Sequence, residues 1–284
     1  MAEGEISISG ALSFAWSLLS HNWRAVWGVL ALNALSWTVL FAGMFANRPD
    51  LMTAGSLAML ITKYPLYGAI FRLGAGQGAD NPDLKLGAQG LQWRGMELRM
   101  FAADILQSVF LVVLVLLVSV AMAAVLMGVL MSHGGPPLHI TTPADLQRAL
   151  GPQGMQIMAL EQLALLLVVL FVGTRLLLAL PASALSGRVA VLRTWRLTRG
   201  SFLRLFLAWV VVQAPVWLTF TLAGAGLNGE LTSFTAAQIL GYSVLSGALA
   251  GAASIPLSAG VQVYFYKALA QPGPAPGANG GTER

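Results

Sequence analysis

The chain has no cysteine, so no disulfide and no thiolate metal site can form. Charge is scarce as well. Only 10% of the 284 residues are Asp, Glu, Lys or Arg, against roughly 25% in an ordinary soluble domain. Histidine is limited to His21, His133 and His139. No polar stretch is long enough to make a water-soluble domain. The first ten residues, "MAEGEISISG", carry no basic residue, so a cleavable signal peptide is not expected and the first apolar helix should be retained. No Ser/His/Asp set and no pair of catalytic carboxylates stands out. The glycines of "FRLGAGQGADNP" lack the preceding strand that a dinucleotide loop requires. His133 and His139 have no obvious third metal ligand. Neither enzyme chemistry, a cofactor nor a nucleic-acid partner is expected.

Apolar chain is abundant: 57% of residues are hydrophobic and the mean hydropathy is +0.74. A membrane helix needs about 20 apolar residues. Six such segments are read, at about 25–46, 52–73, 102–131, 158–184, 203–225 and 238–267. The second is the weakest, because Lys63 and Pro65 stand near its middle, and a re-entrant segment is the alternative. The expected fold is an all-α membrane bundle occupying 1–270 as one domain. A periplasmic loop at 132–157 holds a short helix from Pro143 to Leu150, and a Pro/Gly-rich, disordered cytoplasmic tail follows at 271–284.

Basic residues are spread unevenly. Arg72, Lys85, Arg94 and Arg99 lie between the second and third segments, and Arg188, Arg193, Arg196, Arg199 and Arg204 between the fourth and fifth. Lys267 follows the sixth, whereas the opposite connections hold only Arg48 and Arg148. Cationic connections stay in the cytoplasm, which puts both termini there. "ALSFAWSLLSHNWRAVW" (11–27) aligns with "AVLRTWRLTRGSFLRLF" (190–206), Trp16 falling on Trp195 and Trp23 on Phe202. Together with "GLQWRGMELRMF" (90–101), these read as short interfacial helices leading into the odd-numbered segments. Pro65, Pro181 and Pro256 sit at matching places in the even ones as expected kinks. The pattern suggests three hairpin repeats, 1–77, 78–188 and 189–270. The alternative is that interfacial Trp and transmembrane Pro are common everywhere. Ser243, Gly247 and Gly251 form a small-residue stripe suited to close helix packing within the bundle.

Ionisable residues at membrane depth are functional candidates. Arg175 and Lys63 are the two deep cations, with no carboxylate expected at their level. As an unmatched pair they would attract an anion such as a lipid headgroup; the alternative is that both snorkel or bond to backbone. Trp16, Trp23, Arg188, Arg193, Trp195, Arg196, Arg199 and Arg204 are expected to anchor the protein to anionic lipids.

The stretch 175–215 has Arg175, then Pro181-Ala182, then "TWRLTRG" at Thr194–Gly200, and "ELRMFAADIL" spans 97–106. In these features the chain resembles the bacterial glycerophosphoryl diester phosphodiesterase membrane domain and the related YciC-like six-span proteins. The resemblance implies a cell-envelope membrane protein dealing with lipids. It does not imply diester hydrolysis, because three scattered histidines do not supply the metal site of the soluble phosphodiesterase barrel. The leading expectation is thus a non-enzymatic, lipid-associated membrane protein. The alternatives are a transporter or channel for a small anion, and a scaffold that recruits a protein partner or a second copy.

Overall fold

The computed structural model describes residues 6–76, 85–132, 143–227 and 235–270. Among these the chain is helical, with no strand. The helices are α1 (Ile8–Phe45), α2 (Pro49–Ala75), α3 (Gly95–Ser132), α4 (Pro143–Leu176), α5 (Ala179–Leu185), α6 (Arg193–Leu197), α7 (Phe202–Leu227), α8 (Ala236–Gly247) and α9 (Ile255–Ala270). A 3-10 turn at Ala88–Gly90 precedes α3, and a π-helical turn at Ala248–Ser254 joins α8 to α9. Among the described residues five stretches are long and apolar enough to cross a membrane: Ile8–Phe45, Ala88–Gly128, Gly151–Leu185, Phe202–Thr221 and Ala236–Ala270. The second segment read from sequence does not reach that mark. It is nevertheless one continuous helix, α2, with Pro65 inside it.

The chain divides into two compact units, Met1–Asp104 with Leu177–Arg284, and Ile105–Leu176. In the second unit, α4 has a non-helical residue at Gly151 (φ 63°). Pro143–Leu150 is therefore set off as a short helix where the sequence suggested one. Apolar side chains such as Leu117, Val120, Leu160 and Leu167 are exposed along this unit, as lipid-facing residues are.

In the first unit α1 is the spine, and α2, α7, α8, the π-turn and α9 all pack on it. Ser7 caps its start, accepting from Gly10 N–H at 3.0 Å. The expected interfacial helix 11–27 is not separate: α1 runs unbroken for 38 residues. No proline or left-handed residue interrupts it. Asn22, the residue most suited to a turn, spends its side chain on the Leu18 carbonyl at 2.9 Å. By contrast, α6 is set apart from α7 because Gly200 takes φ 95°, a conformation side chains resist. The three interfacial stretches thus differ in form, and the repeat is not evident in the helix boundaries. α8 opens on a capping box, Thr235 with Gln238, which satisfies the first free N–H groups.

The three marked prolines have different consequences. At Pro181 the expected fourth span breaks at Leu177–Leu178, and the ring sits in the first turn of α5, where the missing N–H is harmless. Pro65 lies within unbroken α2. Pro256 follows the π-turn, in which the Ile255 N–H reaches back to the Ala250 carbonyl. Pro256 has no N–H, so the Gly251 carbonyl loses both helical donors, and Asn33 Nδ2 of α1 donates to it at 2.8 Å.

Glycine makes that approach possible. A Cβ on Gly251 would stand 2.5 Å from Ala34 Cα, and one on Gly247 would overlap the Thr38 side chain. The Ser243–Gly247–Gly251 stripe therefore packs inside the bundle against α1. Gly251→Ala should cost about 1–3 kcal/mol of stability from overpacking. Gly128→Ala, where a Cβ meets nothing within 4 Å, should be neutral. Thermal unfolding in detergent, followed by tryptophan fluorescence, checks both.

Candidate functional site

The unusual residues of the first unit collect where α2 faces the start of α3. From Tyr64 to Arg72 every residue of α2 is buried, which explains its low hydropathy: protein surrounds this half. At its end Arg72 and Glu97 form a fully buried ion pair. The contact is bidentate, with Nη1 donating to Oε1 and Nη2 to Oε2 at 3.1 Å, and the Arg94 backbone N–H also donates to Oε2 at 2.9 Å. Gly68 leaves the room, since a Cβ there would collide with Glu97 Oε1. Arg72, counted from sequence among the exposed cytoplasmic charges, is instead locked inside.

Lys63 also has a carboxylate, contrary to expectation. Its Nζ lies 2.6 Å from Asp104 Oδ2, and the Tyr64 hydroxyl donates to the same oxygen at 2.8 Å. α3 begins at Gly95, which sets Asp104 about 13 Å along it at 1.5 Å per residue. Lys63 lies the same nine residues, about 13 Å, from Arg72 on α2. Trp93 and Phe101 pack edge-on around the Tyr64 ring, at 5.7 and 5.3 Å between centroids. Lys63 belongs to the first unit and Arg175 to the second. Arg175 lies over the ring of Phe171 on its own helix, 5.2 Å from its centre.

Further polar side chains thread the same bundle. Thr62 Oγ1 donates to Asn33 Oδ1 at 3.2 Å and lies 3.5 Å from Ser36 Oγ, so the Asn33 amide is engaged at both ends. Tyr67 is in hydrogen-bonding contact with Ser258 and Gln262 of α9. Gln262 is 3% exposed, and its Oε1 has no donor among the described residues. Lone Asn, Gln and Asp in apolar runs were the available signal for these positions.

The proposed anchors lie at the surface. Trp16 is 62% and Trp23 53% exposed, and Arg24 sits over the Trp23 ring. Around α6, Arg188, Arg193, Arg196, Arg199 and Arg204 are all exposed, and Arg204 Nη1 donates to the Ile6 carbonyl at 3.1 Å. Leu192, at 69%, Trp195 and Leu203 are exposed between them, while Thr194 and Thr198 are fully buried. Asp80, Asp83, His133, His139 and the tail 271–284 lie outside the described residues. Among the described residues no group of His, Cys, Asp or Glu could hold a metal.

This arrangement defines a class: an all-α membrane protein with ion pairs and amides held between its helices. No family model, no curated protein and no solved structure matches the chain.

Glu97→Gln should destabilise the protein by about 3–5 kcal/mol, because it leaves Arg72 buried without its counter-charge. The double replacement Arg72→Met with Glu97→Leu should restore most of that loss. Equilibrium unfolding of both variants in detergent measures the difference.

Proposed function

We propose that this is a six-crossing inner-membrane protein that binds anionic lipids at its cytoplasmic rim and has no catalytic role of its own. One observation carries the reading: the exposure pattern around α6. A helix facing water hides its leucines and tryptophans. Here the threonines Thr194 and Thr198 are turned into the protein, while Leu192, Trp195 and Leu203 point out among five exposed arginines. Apolar and cationic groups side by side match a headgroup region, where rings and aliphatic chains meet the acyl boundary and guanidinium groups meet phosphate. Trp16 and Trp23 on α1 support the same interface.

α2 is the sixth crossing in this reading. Its outer end carries the exposed ion pair Arg48–Asp50, at 2.8 Å. Asp50 and Arg72 stand 22 residues apart, about 33 Å along a helix, close to the roughly 30 Å of bilayer hydrocarbon. With α2 crossing, the basic connections at Lys85–Arg99 and Arg188–Arg204 fall on one side, and both termini are cytoplasmic. The resemblance at 175–215 to envelope membrane-domain proteins points the same way. The small-anion alternative drew on Lys63 and Arg175 as an unmatched pair, and the Asp104 carboxylate 2.6 Å from Lys63 favours the lipid reading over it.

The cysteine-free chain suits single-site labelling. Lys85→Cys and Arg196→Cys should react with an impermeant maleimide only once the cytoplasmic face is opened, and Asp50→Cys should react in intact cells. Labelling of Lys85→Cys and Arg196→Cys from opposite faces would refute the topology. Replacing Arg193, Arg196 and Arg199 together by Gln should lower phosphatidylglycerol affinity by roughly tenfold in nanodiscs. Unchanged affinity would refute the rim.

A further inference from the structure

The Lys63–Asp104 pair is incompletely satisfied in a way that specifies a ligand. Lysine has three N–H donors, and among the described residues the one hydrogen-bond acceptor of Lys63 is Asp104 Oδ2, with the Tyr64 ring 5.5 Å from its Nζ. Tyr64 spends its hydroxyl on that same Oδ2. Both donors converge on one oxygen, so among the described residues Asp104 Oδ1 receives no hydrogen bond and two Lys63 N–H groups have no hydrogen-bond acceptor. The unused groups are not sealed in protein, since the two side chains are 30% and 20% exposed. On an aqueous surface, water would complete them without consequence. On a helix that crosses the bilayer they stand about 20 Å along α2 from Asp50 and 13 Å from Arg72, where hydrocarbon offers no partner and each unmet group costs several kcal/mol.

We propose that the exposed side of Lys63 and Asp104 is a binding site for a zwitterion bearing a primary ammonium beside a phosphate. The phosphate would accept from the free Lys63 N–H groups, and the ammonium would donate to Asp104 Oδ1. A plain anion is a poorer match, because it would face the Asp104 carboxylate; a plain cation would face Lys63. Tyr64, packed edge-on against Trp93 and Phe101, holds Oδ2 through its hydroxyl, which leaves Oδ1 for the ligand. The chemistry occurs both in the headgroup of phosphatidylethanolamine and in free phosphoethanolamine. The inference rests on α2 crossing the bilayer, which the labelling above decides independently, and it is separate from the arginine rim.

The test is native mass spectrometry of the intact chain released from nanodiscs, with lipids added in competition. Phosphatidylethanolamine should outcompete phosphatidylglycerol at this site. Affinity should fall stepwise along the mono-, di- and trimethylated headgroups, as donors to Oδ1 are lost, by about tenfold over the series. Asp104→Asn should remove the preference, and the Arg193/Arg196/Arg199 replacement should leave it intact. The methylation series needs no variant, so it decides the matter even if Asp104→Asn does not fold. Binding that is indifferent to methylation, or preference retained in folded Asp104→Asn, would overturn the proposal. Competition by millimolar phosphoethanolamine assigns the site to a soluble ligand; its failure to compete, with the lipid preference intact, assigns it to the headgroup.

Discussion

Hydrocarbon supplies no hydrogen bonds, and the Gly251 carbonyl shows how the first unit answers that constraint. The π-turn sends the Ile255 N–H to Ala250, Pro256 has no N–H to give, and the freed carbonyl is met by Asn33 from the neighbouring helix. The exchange works only because α1 comes close enough, which the absence of a side chain on Gly251 allows. Glycine, proline, π-turn and asparagine are one arrangement rather than four features. Thr62 then fixes the other end of the Asn33 amide, so three elements meet at a single side chain.

The two ion pairs set the register of α2 against α3 in the same manner. Arg72–Glu97 is sealed and bidentate, with neither partner free to seek water. Its value is positional, since a buried pair returns little net stability over apolar residues of equal volume but tolerates no slip. Lys63–Asp104, nine residues back along α2 and seven on along α3, is open on one side. The sealed pair holds the frame in which the open one is presented.

The apolar segments were legible in the sequence because length and composition alone identify them. The small-residue stripe was equally plain, and the structure places it against α1. The ion pairs were not legible. Each joins residues 25 or 41 positions apart, a separation at which helical periodicity carries no sign of contact. The continuity of α1 was missed for another reason. Aromatic and polar residues at 11–27 mark an interfacial environment, but they contain nothing that stops a helix, and environment was mistaken for a boundary. At 190–206 the same environment does coincide with a break, because a glycine there adopts a left-handed conformation.

An unbroken α1 also bears on the membrane itself. At 38 residues the rod is about 57 Å long, against about 40–45 Å for a bilayer with its headgroups. In the proposed reading the apolar stretch 25–46 already matches the roughly 30 Å of hydrocarbon, so the surplus, with α9 packed along it, carries Trp16 and Trp23 out into the headgroup layer.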